Sequence, residues 1–179
     1  MLRVSSVSRK WTTSLRIALA SAGWLACFAA FAQTAAPAAL QPADAQHRIA
    51  ALSASGVQIY VCKRDQNNQL AWAFKAPQAD LYNAAGTLVV KHYAGPSWEA
   101  TDGSKLTGKV LQQALNTAQP GSIALLLLQA SSVGGPGLLA SARYVQRLDT
   151  RGGVAPAQAC TQEGQEGRSP YLATYVFLN

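Results

Sequence analysis

Val57-Gln-Ile-Tyr-Val-Cys-Lys63, then Arg64-Asp-Gln-Asn-Asn-Gln69, then Leu70-Ala-Trp-Ala-Phe-Lys-Ala76: this stretch decides the fold class. Val57, Ile59 and Val61 alternate with Gln58, Tyr60 and Cys62, and Leu70, Trp72, Phe74 and Ala76 alternate with Ala71, Ala73 and Lys75. A side-chain period of two, filled with β-branched and aromatic residues, is the pattern of extended chain with two unlike faces. The run Arg64 to Gln69 has the composition of a tight connection. Residues 57–63 and 69–76 are therefore expected to form an antiparallel pair.

The same reading extends outward in both directions. Leu81-Tyr82 leads into Asn83-Ala-Ala-Gly86, where glycine can take a positive φ. Residues 87–93 then alternate again, with Leu88, Val90 and His92 on one face. Asp102-Gly103 separates Trp98-Glu-Ala-Thr101 from Lys105-Leu-Thr-Gly-Lys-Val110, a second hairpin signal. Ile123 to Leu128 is a continuous apolar run, as expected of a strand buried on both faces. Residues 138–148 and 171–178 complete the set. Helical spacing occurs only in Val110 to Leu115, and a short helix within 111–119 is compatible with it; His47 to Ser53 reads equally as a helical turn or a strand. About eight strands with turn signals every 8 to 12 residues predict a single all-β domain over 47–179. Its architecture is an antiparallel β-sandwich or a closed β-barrel with little helix.

The chain has 179 residues, 49% of them hydrophobic and only 13% charged, which excludes an intrinsically disordered polymer. Its formal charge of +7 is concentrated at one end: Arg3, Arg9, Lys10 and Arg16 precede residue 17 with no acid among them. This basic stretch runs into an apolar one from Ile17 to Phe31, closing on Ala30-Phe-Ala32 before Gln33. A positive head, a short apolar stretch and small residues at the last and third-last positions form a secretory leader over 1–32, the rival reading being a retained N-terminal anchor. The apolar run is shorter than the roughly 20 residues of a spanning helix. Lipidation at Cys27 fits poorly, because the bulky Trp24 stands where a lipidation signal has a small residue. Residues 33–46, rich in Ala and Pro, read as a flexible lead-in. The implied location is the periplasm or the outside of the cell. Without the four leader charges, 11 of the 15 basic residues remain against 8 acids, with no run longer than two; nucleic acid is not an expected partner. No membrane span is expected beyond the leader.

Cys62 and Cys160 are the cysteines left once the leader is removed. In an exported chain they are most simply one disulfide, the alternative being two unrelated buried thiols. No cofactor or metal site is expected: His47, His92 and these two cysteines show no ligand spacing. There is no Gly-x-Ser-x-Gly for a serine hydrolase. Gly135-Pro-Gly-Leu-Leu-Ala140 matches a dinucleotide fingerprint in letters, but the surrounding strands are not a βαβ unit, so these glycines read as a turn.

Gly56-Val-Gln-Ile-Tyr-Val-Cys62, Trp72-Ala-Phe-Lys-Ala-Pro77, Ala79-Asp-Leu-Tyr82, His92-Tyr-Ala-Gly-Pro-Ser-Trp-Glu-Ala100 and Asp102-Gly-Ser104 occur in this order. Leu126-Leu-Leu-Gln-Ala130, Tyr144-Val-Gln-Arg147 and Gly152-Gly-Val-Ala-Pro156 follow before Cys160. Together they resemble an exported family of bacteria and fungi known as domain of unknown function 3455, from about His47 to Phe177. The resemblance implies export, one all-β domain and pairing of Cys62 with Cys160, and it implies no reaction, substrate or catalytic residue.

The segment 92–105 gathers His92, Tyr93, Trp98, Glu99, Asp102 and Lys105 around glycines and is the candidate ligand-binding site. The same residues also suit a structural role, with Tyr93 and Trp98 in the core and Asp102-Gly103 as a turn. The first functional expectation is a non-enzymatic domain binding a small molecule, a glycan or a protein. The second is a small hydrolase or isomerase using His92 with Glu99 or Asp102, which requires those side chains to converge on one open cleft. The third is a purely structural envelope protein.

Overall fold

The computed structural model describes residues 35–45 and 47–179. Eight strands follow one another: β1 (Arg48–Arg64), β2 (Leu70–Tyr82), β3 (Leu88–Tyr93), β4 (Ser97–Ala100), β5 (Lys105–Ala114), β6 (Leu125–Ser132), β7 (Tyr144–Gly152) and β8 (Glu166–Leu178). Each pairs antiparallel with the next, and β8 returns to β1, closing a barrel in sequence order. Of the two expected architectures, the closed barrel is the one observed. Closure leaves no strand edge unpaired.

The up-and-down order divides the turns between two ends. One end carries the connections 83–87, 101–104 and 133–143; the other carries 65–69, 94–96, 115–124 and 153–165. The first end is plugged. Leu139 and Ala142, from the 133–143 connection, are buried in a core with Leu52, Leu81, Leu106 and Phe177. Asp102 accepts the Leu138 amide at 2.6 Å and the Ser104 hydroxyl accepts the Leu139 amide at 3.0 Å, fastening the plug.

Inward side chains follow the period of two. On β8, Ser169, Tyr171, Ala173 and Tyr175 are buried while the residues between them on that stretch are more exposed. The 57–63 and 69–76 pair is present as expected, with Cys62 opposite Trp72 and Tyr60 opposite Phe74. Leu70, Trp72 and Phe74 share a face, but Ala76 does not. Ile59 pairs with Ala76 and the adjacent Tyr60 with Phe74, so Lys75 is an extra, bulged residue that shifts Ala76 to the opposite face.

Residues 47–53, read as either a helical turn or a strand, are strand from Arg48 onward, where β1 begins. Two local expectations are corrected. Val110 to Leu115 forms no helix: β5 continues to Ala114 with a bulge between Val110 and Gln112, and Val110 and Leu111 are both exposed. That bulge accounts for the helix-like pair of apolar residues. The strand expected from residue 138 begins at Tyr144, because 138–142 turns inward to fill the barrel.

The leader expected over 1–32 lies outside the described residues. The segment from residue 35, whose composition suggested flexibility, lies along the outer face of the barrel. Ala38–Leu40 forms one 3-10 turn, and Leu40 is fully buried with Leu125, Leu127, Leu148 and Val176. Gln146 Nε2 donates to Leu40 O at 2.6 Å, while Arg143 and the Tyr144 hydroxyl both reach the Asp44 carboxylate at 2.7 Å. The physical reason is that β6 is apolar on both faces and Leu148 of β7 and Val176 of β8 extend its outer apolar patch, which must be covered. This is also why Leu125 to Leu128 reads as an uninterrupted apolar run.

Cys62 and Cys160 form a disulfide, with their Cα atoms 5.7 Å apart. It holds the 153–165 connection against the β1–β2 hairpin, helped by Trp72 Nε1 donating to Gln158 O at 2.8 Å. No helix among the described residues is long and apolar enough to cross a membrane.

Candidate functional site

Of the six residues proposed from sequence, five separate onto two faces of the barrel wall and Asp102 lies in the turn between β4 and β5. In the β3–β4 pairing His92 stands opposite Trp98 and Lys91 opposite Glu99. Alternation therefore points His92 and Trp98 inward and Glu99 outward. Tyr93, Glu99 and Lys105 form an exposed outer group: the Tyr93 hydroxyl donates to Glu99 Oε2 at 2.6 Å, Lys105 Nζ lies 3.6 Å from the same oxygen, and it sits 5.3 Å from the Tyr93 ring centre. The Tyr93 hydroxyl and then Lys105 hold the Glu99 carboxyl below its ordinary range. Asp102 belongs to neither group. It accepts from the Ser104 amide and hydroxyl as well as from Leu138, and these bonds, the Ser104 hydroxyl first, lower its pKa. His92, Glu99 and Asp102 thus do not converge on one cleft.

The inward pair is set deep. Trp98 is fully buried and His92 nearly so, their rings stacked 4.6 Å apart and 7° from parallel. Tyr175 tilts onto the imidazole at 5.1 Å. The indole fits because Gly108 lies across from it; any Cβ there would strike the far edge of the Trp98 ring. His92 Nδ1 donates to Ser97 O at 2.8 Å, and the Trp98 indole N–H is buried without a hydrogen-bond partner. Burial pushes the His92 pKa down to about 4 against the support of the Ser97 carbonyl, with the Arg147 charge lowering it further. The imidazole is neutral at pH 7.

This depression has a measurable consequence. The unfolded histidine ionises near 6.5 and the folded one near 4, so the unfolded state takes up protons first as pH falls. Stability is fully present above about pH 6.5, is lost progressively on acidification, and levels off below 4. The loss is expected to be about 2 kcal/mol by pH 5 and about 3 kcal/mol in full. Urea unfolding of the wild type and His92→Phe between pH 7 and 5 checks this. The wild type should show the loss and the variant should not; parallel curves refute it.

Beside His92 and Trp98 lies a cavity of about 220 Å³. Seven of the eight strands contribute to its lining, so it lies inside the barrel, at the end opposite the plug. Pro77 of β2, Val110 of β5, Leu126 and Leu128 of β6 and Tyr175 of β8 give it apolar walls, and Gly95-Pro96 of the β3–β4 turn forms part of its edge. Phe74 and Val110, also in the lining, are left 56% and 47% exposed. Arg147 of β7 enters between these walls, paired across the seam with Tyr175. Its Nε and Nη2 donate to Ala124 O at 3.2 and 2.9 Å. Its charge acts on Tyr60, His92, Tyr171 and Tyr175, whose side chains surround the upper lumen. Burial raises the pKa of all three tyrosines, which stay neutral phenols. The Tyr60 hydroxyl donates to Gly153 O at 2.7 Å, and those of Tyr171 and Tyr175 lie 3.2 Å apart.

Of the six residues singled out in sequence, His92 and Trp98 border this cavity. Arg147 and Tyr175 were missed. The alternation around residue 147 offers Val145 and Arg147 on one side and Tyr144, Gln146 and Leu148 on the other, and nothing local says which side faces the lumen. Among the described residues, no group of three or more His, Cys, Asp or Glu is placed to hold a metal ion.

No curated protein matches the chain, and no solved structure matches it. A family model described as a protein of unknown function, DUF3455, matches residues 42–179, which takes in all eight strands, both cysteines and every residue bordering the cavity. The barrel built here is thus that of a member of the DUF3455 family, to which this chain belongs.

Proposed function

We propose that this protein is an exported, non-enzymatic barrel that binds a small molecule in its open end. The observation that carries the reading is the cavity itself: apolar and aromatic walls, few polar groups, one end plugged and the other open. Eight-stranded barrels have interiors just wide enough to be filled by side chains or to hold one small ligand. Here side chains fill the plugged half, and space remains in the other. A dry cavity of roughly 150 Å³ lined by aliphatic and aromatic groups accommodates benzene, so about 220 Å³ suits one ring with a short substituent. Export is supported by the leader pattern of residues 1–32 together with the Cys62–Cys160 bridge, a bond suited to an oxidising compartment.

Filling the lumen tests this reading. In the wild type, titration with toluene or indole should shift the methyl resonances of Leu126 and Leu128. Leu126→Trp places an indole in the cavity and should abolish the shift of the Leu128 methyls while the circular dichroism spectrum stays that of the parent. Absence of methyl shifts in the wild type at millimolar ligand overturns the proposal.

A further inference from the structure

We infer that the ligand of this cavity is a small aromatic carboxylate, its ring held between the Trp98 and Leu128 walls and its acid group taken by the Arg147 guanidinium. The inference rests on the binding function proposed above and adds the chemical class. Four ion pairs occur among the described residues: Arg64–Glu163, Lys75–Glu166, Lys105–Glu99 and Arg143–Asp44. Every one has solvent-exposed partners, and none includes Arg147. The most enclosed cation of the lumen is thus met by a backbone carbonyl and neutral phenols, with no carboxylate of the described residues against it. A guanidinium in apolar surroundings gains most from an anion that matches its planar fork, and carboxylate does so.

The other basic groups near the cavity do not compete for that role. Lys75 lines the rim but is engaged by Glu166, and His92 is neutral and donates to Ser97 O. The single charge therefore has a fixed address on the β7 wall, opposite the stacked His92–Trp98 pair. A ligand reaching both needs a flat apolar body and one acidic end. The buried indole N–H of Trp98, unpartnered in the protein, adds a second donor among the residues bordering the cavity.

Benzoate and benzamide are the probes, since they share a shape and differ in charge. Titrations followed by methyl and indole N–H resonances should show the wild type binding benzoate at least tenfold more tightly than benzamide. In Arg147→Met the two should bind within twofold of each other, with benzamide affinity nearly unchanged; Arg147→Lys should retain part of the preference. The wild-type comparison needs no variant to fold. Equal binding of the two probes by the wild type overturns the carboxylate assignment and leaves the binding barrel intact. Failure of both probes where toluene still binds overturns the assignment alone, and failure of toluene as well overturns both. A benzoate preference that survives in a folded Arg147→Met protein also overturns the assignment.

Discussion

Replacing Cys62 and Cys160 together by serine is expected to lower the free energy of unfolding by about 4 kcal/mol. The bridge spans 98 residues, and a covalent link across a loop that long removes a large share of the unfolded chain's freedom, roughly 4 to 5 kcal/mol in the chain-entropy description. Native contacts add to this. Around the bridge, the Cys62 amide donates to Gln165 O at 2.8 Å and the Gly164 amide donates to Cys62 O at 2.9 Å, so the backbone there is already paired. The serine pair should therefore leave the barrel closed and the far-ultraviolet spectrum unchanged, with the effect appearing in the urea midpoint and, through the freer unfolded chain, in the slope of the transition. A loss below 1 kcal/mol, as an order-of-magnitude bound, contradicts the assignment of that constraint to the bridge.

Trp98→Ala is expected to cost about 3 to 5 kcal/mol, the range for removing a fully buried indole. Its ring stacks on His92 and meets Tyr175 and Phe177 edge-on, with centroids 6.1 and 6.3 Å away. Removing it joins the open cavity to the plugged half of the core, and Gly108 on the facing strand has no side chain to move into the gap. Trp72, half-buried on β2 and hydrogen-bonded to Gln158 O of the 153–165 connection, is the control: its alanine variant should lose clearly less. Denaturant unfolding of the two variants decides the matter, and equal losses would falsify the central position given to Trp98.

Much of the fold is legible in the sequence because its decisive interactions are local. Each hairpin carries its own alternation and its own turn, as in 57–76 or 97–110, and those signals need no knowledge of the rest of the chain. Closure is different. Whether eight strands stack as two sheets or bend into one ring depends on Gly56 finding Tyr171 and Leu52 finding Tyr175, pairings more than a hundred residues apart that leave no local trace. The bulges at Lys75 and beside Leu111 were illegible for a similar reason, since an inserted residue imitates either a slip in period or a helical turn. The Leu40 segment shows a third limit: its composition suggests freedom, but the apolar outer patch of β6–β8 decides its fate.

The candidate site was half visible. His92 and Trp98 stood out as rare residue types close together, and the register of β3 against β4 places them on one face. The same register separates them from Glu99, so a proton-transfer constellation drawn from residue types alone dissolves once the parity of β4 is applied. Arg147 carried no comparable mark, because an arginine within a strand is ordinarily a solvated side chain. Its meaning comes from the ring around it, which only closure creates.

One further property follows from where the disulfide sits. Seven of the barrel's pairings join neighbouring strands and can form early as hairpins, whereas the β8-to-β1 seam must wait for the two ends of the domain to meet. Loop-closure entropy makes such a meeting the slow event of assembly. Cys62 lies on β1 and Cys160 lies shortly before β8, so a bridge once formed keeps the two sides of that seam together whenever the ladder opens and has to zip again. The search is shortened from the whole domain to a few residues. The bridge thereby turns the one long-range pairing of the barrel into a local event, and the enclosed lumen re-forms as readily as a hairpin.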